Sequence, residues 1–151
     1  MPEWNFTASK LFCNANKLIE AYQTVLQPLC KELGMPPMAV DILMFFANNP
    51  DSSTAKDLCQ CRGLKPGIVS VHIDRLVNEG LLRRQAVPGD RRKQQLVCTE
   101  AAQPIIEKGR ALQRDFAVQI LTGLSEEDIE AFRRTLAVLG GNIERIQKCG
   151  I

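Results

Sequence analysis

The sequence predicts a mainly α-helical fold with one small β-hairpin wing, an α+β arrangement, and three observations lead to this prediction. Apolar residues recur at intervals of three and four through most of the 151 residues, which is typical of amphipathic helices. Two short strand-like runs, "LLRRQAV" and "KQQLVC", are joined by a single Pro-Gly turn. Glycines and prolines divide the remainder into long terminal helices and shorter helices between them. A chain of this length forms one domain, or two lobes that share a core.

The first helix is predicted from about Ala8 to Leu33. One apolar seam runs along it, with its residues three and four positions apart. The seam consists of Leu11, Ala15, Leu18, Tyr22, Val25 and Leu29. Pro28 lies inside this pattern, so we expect a kink or an early end there. Gly34 is predicted to end the helix.

Two shorter helices are predicted next. The run "MAVDILMFFANN" is apolar around most of its circumference, which predicts a buried helix that begins at Pro36 or Pro37. Thr54 and Asp57 have the spacing of a capping box, which predicts the start of a third helix. That helix contains "AKDLCQC" and breaks at Gly63.

The fourth helix is predicted from near Lys65, with Pro66 in its first turn, to Gly80. Its inward stripe consists of Val69, Ile73 and Leu76. At about 100° per residue, the opposite arc contains Gly67, Val71, Asp74, Arg75 and Asn78, with Ile68 and Ser70 near its edges. A short helix, a tight turn and a second helix of this kind indicate a helix-turn-helix.

The stretch "VPGDRRKQQLVCTE" gathers positive charge on the hairpin. The formal net charge is only +2, so affinity for a polyanion must come from local clustering. Five of the 19 cations fall within eleven residues that contain one acid, Asp90. These cations are Arg83, Arg84, Arg91, Arg92 and Lys93. A basic hairpin directly after a helix-turn-helix predicts a winged helix-turn-helix. We expect Arg92 to lie at the hairpin tip and to enter the minor groove of DNA. The Asp90 carboxylate is expected to orient the Arg92 guanidinium.

Two long helices are predicted at the C-terminal end. Thr99 is expected to cap the first, whose apolar residues are Ile105, Leu112, Phe116 and Ile120. Ser125 and Asp128 form a second capping box, which predicts the start of the last helix. That helix carries the seam Ile129, Phe132, Leu136, Leu139, Ile143 and Ile146.

The seams on the first and last helices favour helix pairing at shallow crossing angles. These helices could pack on each other within one chain, but they exceed what one small core requires, so we expect a homodimer. The predicted interface residues are Leu11, Leu18, Leu136, Leu139, Ile143 and Ile146. We accordingly predict a helical dimerisation region, residues 1–34 and 100–151, and a DNA-binding lobe, residues 35–99.

In a winged helix-turn-helix the second helix enters the major groove, and the wing reaches the phosphate backbone or the minor groove. Ile68 and Val71 are suited to contacts with thymine methyl groups. Ser70 and Arg75 are suited to hydrogen bonds with base edges, but donors are few on this face, so we expect DNA shape to contribute to specificity. The predicted DNA-binding residues are Thr54, Lys65, Pro66, Gly67, Ser70, Val71, Arg75, Arg83, Arg84, Asp90, Arg91, Arg92 and Lys93.

The segment "TAKDLCQCRGLKPGIVSVHIDRLVNEGLLRR", followed by "PGDRRKQQLVCTEAA", resembles the MarR family of bacterial transcription regulators. The resemblance implies a homodimer that represses through palindromic operators in double-stranded DNA and releases them on binding a small phenolic or anionic effector. It also implies an effector cleft between the dimer stem and the winged lobe, with Trp4, Phe6, Phe45 and Phe116 as candidate walls. Two positions depart from the pattern: Val71 stands where many members have arginine, and Ala102 where glycine is common.

The cysteines raise two alternatives. Cys59-Gln-Cys61 resembles the Cys-x-Cys of ArsR-family metalloid sensors, which predicts a metal-responsive regulator. The two side chains project about 200° apart on a regular helix, and a third soft ligand would be needed. Peroxide-sensing MarR members carry a reactive cysteine early in the first helix, close to the position of Cys13. The candidate redox residues are Cys13, Cys61 and Cys149.

Other function classes are not expected from the sequence. No nucleophile and base with an orienting third group is evident, nor a glycine-rich phosphate loop, so we expect neither an enzyme nor a cofactor. No apolar run approaches the ~18 residues of a membrane span, and the start of the chain lacks the pattern of a signal peptide. We therefore expect a cytoplasmic protein without a membrane partner. A winged-helix module that binds another protein remains an alternative.

Overall fold

The computed structural model describes residues 7–151. Within that range the chain forms six α-helices, one turn of 3-10 helix and a two-stranded antiparallel sheet. The elements are α1 (Ala8–Leu33), α2 (Pro37–Asn48), α3 (Ala55–Arg62), α4 (Pro66–Asn78), β1 (Leu82–Val87), β2 (Asp90–Cys98), α5 (Gln103–Ile120) and α6 (Glu126–Cys149). The predicted fold class and order of elements are confirmed.

The chain divides into two compact units, one that ends at Arg114 and one that begins at Asp115. The division falls within α5. None of the helices between residues 7 and 151 has the length and hydropathy of a membrane-spanning segment.

Helix α2 lies at the centre of the core of the first unit. Its sequence is apolar on nearly every side, and Ile42, Leu43 and Met44 are fully buried. The second half of α1 contributes Leu26 and Leu29 to the same core. The other elements of this unit add Leu58, Val69, Ile73, Leu76, Leu82, Leu96 and Ile106. Because burying one such side chain contributes about 1.5–3 kcal/mol, this cluster dominates the stability of the unit.

Helix α5 approaches α2 closely at Gly109. A Cβ atom at this position would lie 2.4 Å from the Sδ atom of the buried Met44. That distance is shorter than any ordinary contact, so a side chain at this position would force the buried Met44 side chain to move.

Two helices begin with the predicted capping boxes. The Thr54 hydroxyl accepts a hydrogen bond from the backbone N–H of Asp57 at 3.1 Å, and the Asp57 carboxylate accepts one from the backbone N–H of Thr54. Ser125 and Asp128 make the same pair of bonds at the start of α6. In both places the chemistry of side chains three residues apart determines the helix start.

The early end expected at Pro28 does not occur, because α1 continues to Leu33. Proline removes one backbone hydrogen bond. The neighbouring Leu26 and Leu29 are buried in the core, and their burial offsets that loss.

The predicted Pro-Gly turn of the hairpin is confirmed. Val87 pairs with Asp90, so only Pro88 and Gly89 form the turn. The φ angle of Gly89 is 84°, and proline followed by a residue with positive φ is the type II combination. Strand β2 therefore begins at Asp90, three residues before the predicted run, and Arg92 lies in the strand rather than at a loop tip.

The role predicted for Thr99 as a side-chain cap is wrong. Its hydroxyl donates to the backbone oxygen of Gly80 at 2.6 Å, and its backbone N–H donates to the oxygen of Leu81 at 3.1 Å. A 3-10 turn, Glu100–Ala102, then leads into α5 without a capping bond from Thr99. The hydroxyl joins the base of the hairpin to the end of α4.

The root of the hairpin is joined to the segment before α3. The backbone N–H of Leu96 in β2 donates to the oxygen of Ser53 at 2.7 Å, and Ser53 is buried. One strand-type bond therefore connects the wing to the start of the helix-turn-helix.

In the second unit, α6 carries its apolar seam without burying any residue. The seam side chains from Phe132 to Ile146 are between 44% and 55% exposed. They are Phe132, Leu136, Leu139, Ile143 and Ile146.

Candidate nucleic-acid interface

The helix-turn-helix is formed by α3 and α4, as predicted. Helix α3 ends at Gly63, whose φ of 63° lies in the left-handed region, which glycine adopts without strain. The predicted inward stripe of α4 is confirmed, because Val69, Ile73 and Leu76 are all buried. Burial of this stripe leaves the opposite face of α4 in solvent.

Apolar side chains occupy the exposed face of α4. Val71 is 67% exposed and Ile68 is 48% exposed. Gly67, one turn before Val71, has no heavy atom within 4 Å of the position of a Cβ. The N-terminal half of α4 therefore presents a small, apolar and sterically open surface.

Two arginines near this face are held by other groups. The guanidinium of Arg75 donates to the backbone oxygen of Gly34 at 2.8 Å and to the Glu79 carboxylate at 3.0 Å. Arg84 pairs with the carboxylate of Asp74. Arg75 therefore joins α4 to the end of α1, and it reaches a base edge only if these bonds break.

The wing presents cations that are not paired. Arg91, Arg92 and Lys93 are exposed, and the guanidiniums of Arg91 and Arg92 make no hydrogen bond or ion pair with any residue from 7 to 151. The expectation that Asp90 holds the guanidinium of Arg92 is wrong. The Asp90 carboxylate instead accepts from the backbone N–H of Arg92 at 2.9 Å, because it lies at the start of a strand beside the turn.

A groove of about 760 Å³ lies between the wing and helices α3 and α4. Its walls include five cationic side chains and one carboxylate, that of Asp57. The cations are Lys56, Arg84, Arg91, Arg92 and Lys93. The groove is open to solvent and carries an excess of positive charge, which suits a polyanion.

The one carboxylate of the groove is already engaged. The hydrogen bond from the Thr54 hydroxyl holds the pKa of Asp57 below its usual value, and the charges of Lys93 and Lys56 lower the pKa further. Asp57 is therefore ionised at neutral pH and completes the helix cap.

The structure brings together most of the predicted DNA-binding residues. Thr54, Pro66 and Ser70 line the groove with the wing cations, while Lys65 and Gly67 lie beside them in the first turn of α4. Arg83 lies on β1 with its guanidinium bound to Gln85 at 3.2 Å. Lys65, Gly67 and Arg83 are not among the residues that line the groove.

Lys56, Gln60 and Gln94 also line the groove, although none of them was predicted from the sequence. Lys56 follows the cap of α3 by two residues. A cation at the start of the first helix of a helix-turn-helix could have been predicted from the sequence to lie at the interface. The two glutamines carried no such signal, because only the packing of the wing beside α3 brings them to the groove.

The six cysteines are all free thiols. Cys13, Cys61 and Cys149 are exposed, while burial raises the pKa of Cys30 and Cys98. Cys59 is half-buried against the core. No cluster of three or more potential metal ligands of the His, Cys, Asp and Glu types exists among residues 7–151.

Comparison with known proteins identifies relatives of this chain. A family model described as the MarR family matches residues 33–93, from the end of α1 into β2. The crystal structure of the transcriptional regulator PA3341 is 26% identical, with a TM-score of 0.77, and the match covers 92% of this chain and 99% of that one.

Two structures solved with DNA share the fold. A MarR family transcriptional regulator from Listeria monocytogenes complexed with 26mer DNA is 17% identical, with a TM-score of 0.76 and coverage of 93% of this chain and 95% of that one. The MepR–DNA complex of S. aureus is 18% identical, with a TM-score of 0.70 and coverage of 93% and 99%.

Proposed function

We propose that the chain is a winged-helix transcriptional regulator of the MarR family, whose family model matches residues 33–93, and that it is a homodimeric repressor that binds palindromic sites in double-stranded DNA. Helix α4 enters the major groove, and the wing contacts the phosphate backbone and the minor groove. The protein acts in the cytoplasm without catalysis.

One observation carries this proposal. The groove beside α4 has five cations in its walls, and two of them, Arg91 and Arg92, have no partner among the described residues. A protein surface that leaves arginines unpaired beside one engaged carboxylate is arranged for an external anion. The two DNA complexes of the same fold support duplex DNA as that anion.

The dimer is supported by apolar surface at both ends of the chain. In α1, Leu11 is 45% and Leu18 49% exposed, and the seam of α6 is exposed from Phe132 to Ile146. A second copy would cover these side chains, and pairing of two chains would give the two recognition helices the fixed spacing that a palindromic site requires.

Effector control is supported by a cavity of about 230 Å³ at the root of the wing. Leu96 and Ser53, whose backbone bond anchors the wing, both line it, as does Arg110. Two hydrogen bonds, to Asn48 at 3.1 Å and to the oxygen of Ala47 at 3.0 Å, fix the Arg110 guanidinium. A small anionic ligand beside this cation would act on the anchor of the wing.

This cavity differs from the cleft expected from the family resemblance. Trp4 and Phe6 lie outside the described residues, and Phe45 is buried in the core with its ring against Phe46.

Arg110→Met keeps the aliphatic stem and removes the charge, so it should abolish duplex release by benzoate or salicylate. Arg114→Met, one turn further along α5, is the control and should respond as the wild type does. Equal release from both variants would exclude the cavity as the effector site.

Thiol oxidation is a second route to release. Cys13, Cys61 and Cys149 are the accessible thiols, and peroxide treatment followed by mass spectrometry identifies any that react. The metal-sensing alternative needs a third ligand for Cys59 and Cys61, and no such cluster exists in the described part of the chain. A titration of the reduced protein with Zn²⁺ or arsenite tests this alternative.

The wing arginine provides the direct test of DNA binding. Arg92→Ala should weaken binding to every duplex by about tenfold to a hundredfold, since a charge-assisted contact is lost. Fluorescence anisotropy at several salt concentrations measures this loss, and the wild-type affinity should fall steeply with salt. Arg134→Ala removes an exposed arginine of α6 and should have little effect. Wild-type protein that binds no duplex would favour the protein-interaction module instead.

A further inference from the structure

Base recognition by α4 depends on what its exposed face offers to the major groove. The centre of that face consists of Gly67, Val71 and Asp74, in steps of four and three along the helix. Glycine has no side chain and valine has no donor, while the Asp74 carboxylate can only accept and already holds Arg84. Asn78 continues this line but is the last residue of α4, and Ser70 lies about 60° to one side of the line at 100° per residue.

The structure removes the arginine that sequence analysis assigned to this face. Arg75 is half-buried, and its guanidinium is bound to the Gly34 oxygen and to Glu79. Recognition of guanine through its O6 and N7 atoms requires a free arginine or lysine fork. Helix α4 does not supply one in its exposed centre, so guanine is a poor target for this helix.

The exposed face of α4 offers hydrocarbon side chains to the DNA bases. Val71 and Ile68 project into solvent side by side near the N-terminal end of α4. In the major groove, thymine is the only base with a hydrocarbon group, its C5 methyl. The cations of the neighbouring groove flank this apolar surface, so a duplex held by its phosphates would bring base edges against it.

We propose that Val71, with Ile68 beside it, determines operator specificity by contact with thymine C5 methyl groups. This inference rests on the proposed entry of α4 into the major groove. The operator half-site therefore contains thymine where α4 crosses the groove, and the methyl group itself carries the discrimination.

The test begins with the full-length protein and a library of random-sequence duplexes, from which the preferred site is selected. Each thymine of the selected half-site is then replaced by deoxyuridine, which lacks only the methyl group. One buried methyl corresponds to about a fourfold change in affinity. We expect that loss at one or two thymines in each half-site, and about a sixteenfold loss when one such thymine is changed in both half-sites.

Substitutions in the protein assign the effect to Val71. Val71→Ala should bind the thymine and deoxyuridine duplexes with nearly equal affinity, and the side chain is exposed, so the fold should tolerate the change. Arg91→Ala should weaken binding to both duplexes and leave their ratio unchanged. A cytosine placed at the sensitive position should reduce binding, and 5-methylcytosine should restore part of it.

The outcomes separate the inference from the function on which it rests. The inference would be overturned if no deoxyuridine substitution changed the affinity for the duplex. It would also be overturned if the methyl effect persisted in Val71→Ala. Both outcomes would leave DNA binding intact. Failure of the library to yield any bound duplex would overturn both.

Discussion

Single residues decide how closely two helices of this fold approach each other. Gly109 has a helical position where alanine would normally be favoured by about 1 kcal/mol. Glycine is nonetheless favoured there, because a Cβ atom would lie 2.4 Å from Met44 Sδ and 3.0 Å from Cε, and the Met44 side chain is fully buried.

Gly109→Ala should therefore destabilise the protein by about 1–3 kcal/mol, the usual cost of overpacking a core. Urea denaturation measures the change. Gly141→Ala in α6 is the control, because nothing lies within 4 Å of its Cβ position, and it should be neutral or slightly stabilising. Equal stability of the two variants would contradict the close contact.

The wing illustrates what a sequence can and cannot show at this scale. The cluster of arginines was evident along the chain, but their partners were not. Arg84 pairs with Asp74, ten residues away, and Arg75 bonds to Gly34, 41 residues away. Such distant contacts leave no periodic signal, so all these arginines were predicted alike to be available for DNA.

Helices α2 and α3 are joined by an ion pair between Asp41 and Arg62, at 2.5 Å. Burial raises the pKa of Asp41 above its ordinary value of 3.8, and the Arg62 charge opposes this rise. The folded state therefore favours the protonated Asp41 carboxyl. The stability that Asp41 contributes through this shift is fully present below pH 3.8 and is lost as the pH rises through the raised pKa.

Asp41→Asn should consequently gain stability relative to the wild type as the pH rises from about 3 through the raised pKa. Denaturation curves at a series of pH values measure the difference between the two proteins. Arg62→Leu removes the charge that lowers the Asp41 pKa, so this variant should lose stability up to a higher pH than the wild type does. A difference that stayed constant or fell with pH would contradict the account.

Element boundaries could be predicted where the signal is local. The limits of α1 and the capping boxes at Thr54 and Ser125 are set by residues within one turn, and they were found. The start of β2 and the role of Thr99 were missed because they depend on pairing with Val87 and on contact with Gly80, which lie elsewhere in the chain.

The whole molecule retains a large exposed apolar surface on its terminal helices. Leu136 is 49% and Leu139 44% exposed, and a seam with this spacing is the pattern of helices that pair at shallow angles. The domain limits predicted from the sequence, 35–99 for the winged lobe, stay a prediction, and the structure divides the chain between Arg114 and Asp115. The core itself extends beyond those limits, to Leu26 in α1 and Ile106 in α5.

Leu139→Glu should convert the proposed dimer to monomer at micromolar concentration, because it would place a charge in the centre of the proposed apolar interface. Light scattering after size-exclusion chromatography measures the mass. Val138→Glu is the matched control, since this exposed valine lies about 120° from the seam at 100° per residue. Loss of the dimer in both variants, or in neither, would argue against the seam as the interface.

The stoichiometry of the complex between the protein and its duplex tests dimerisation and DNA recognition together. Analytical ultracentrifugation of the full-length chain with the duplex selected from the random library measures that composition. We predict a single species that contains two chains and one duplex and dissociates as salt increases. One chain on each duplex, or protein and DNA that sediment separately at low salt, would contradict the account.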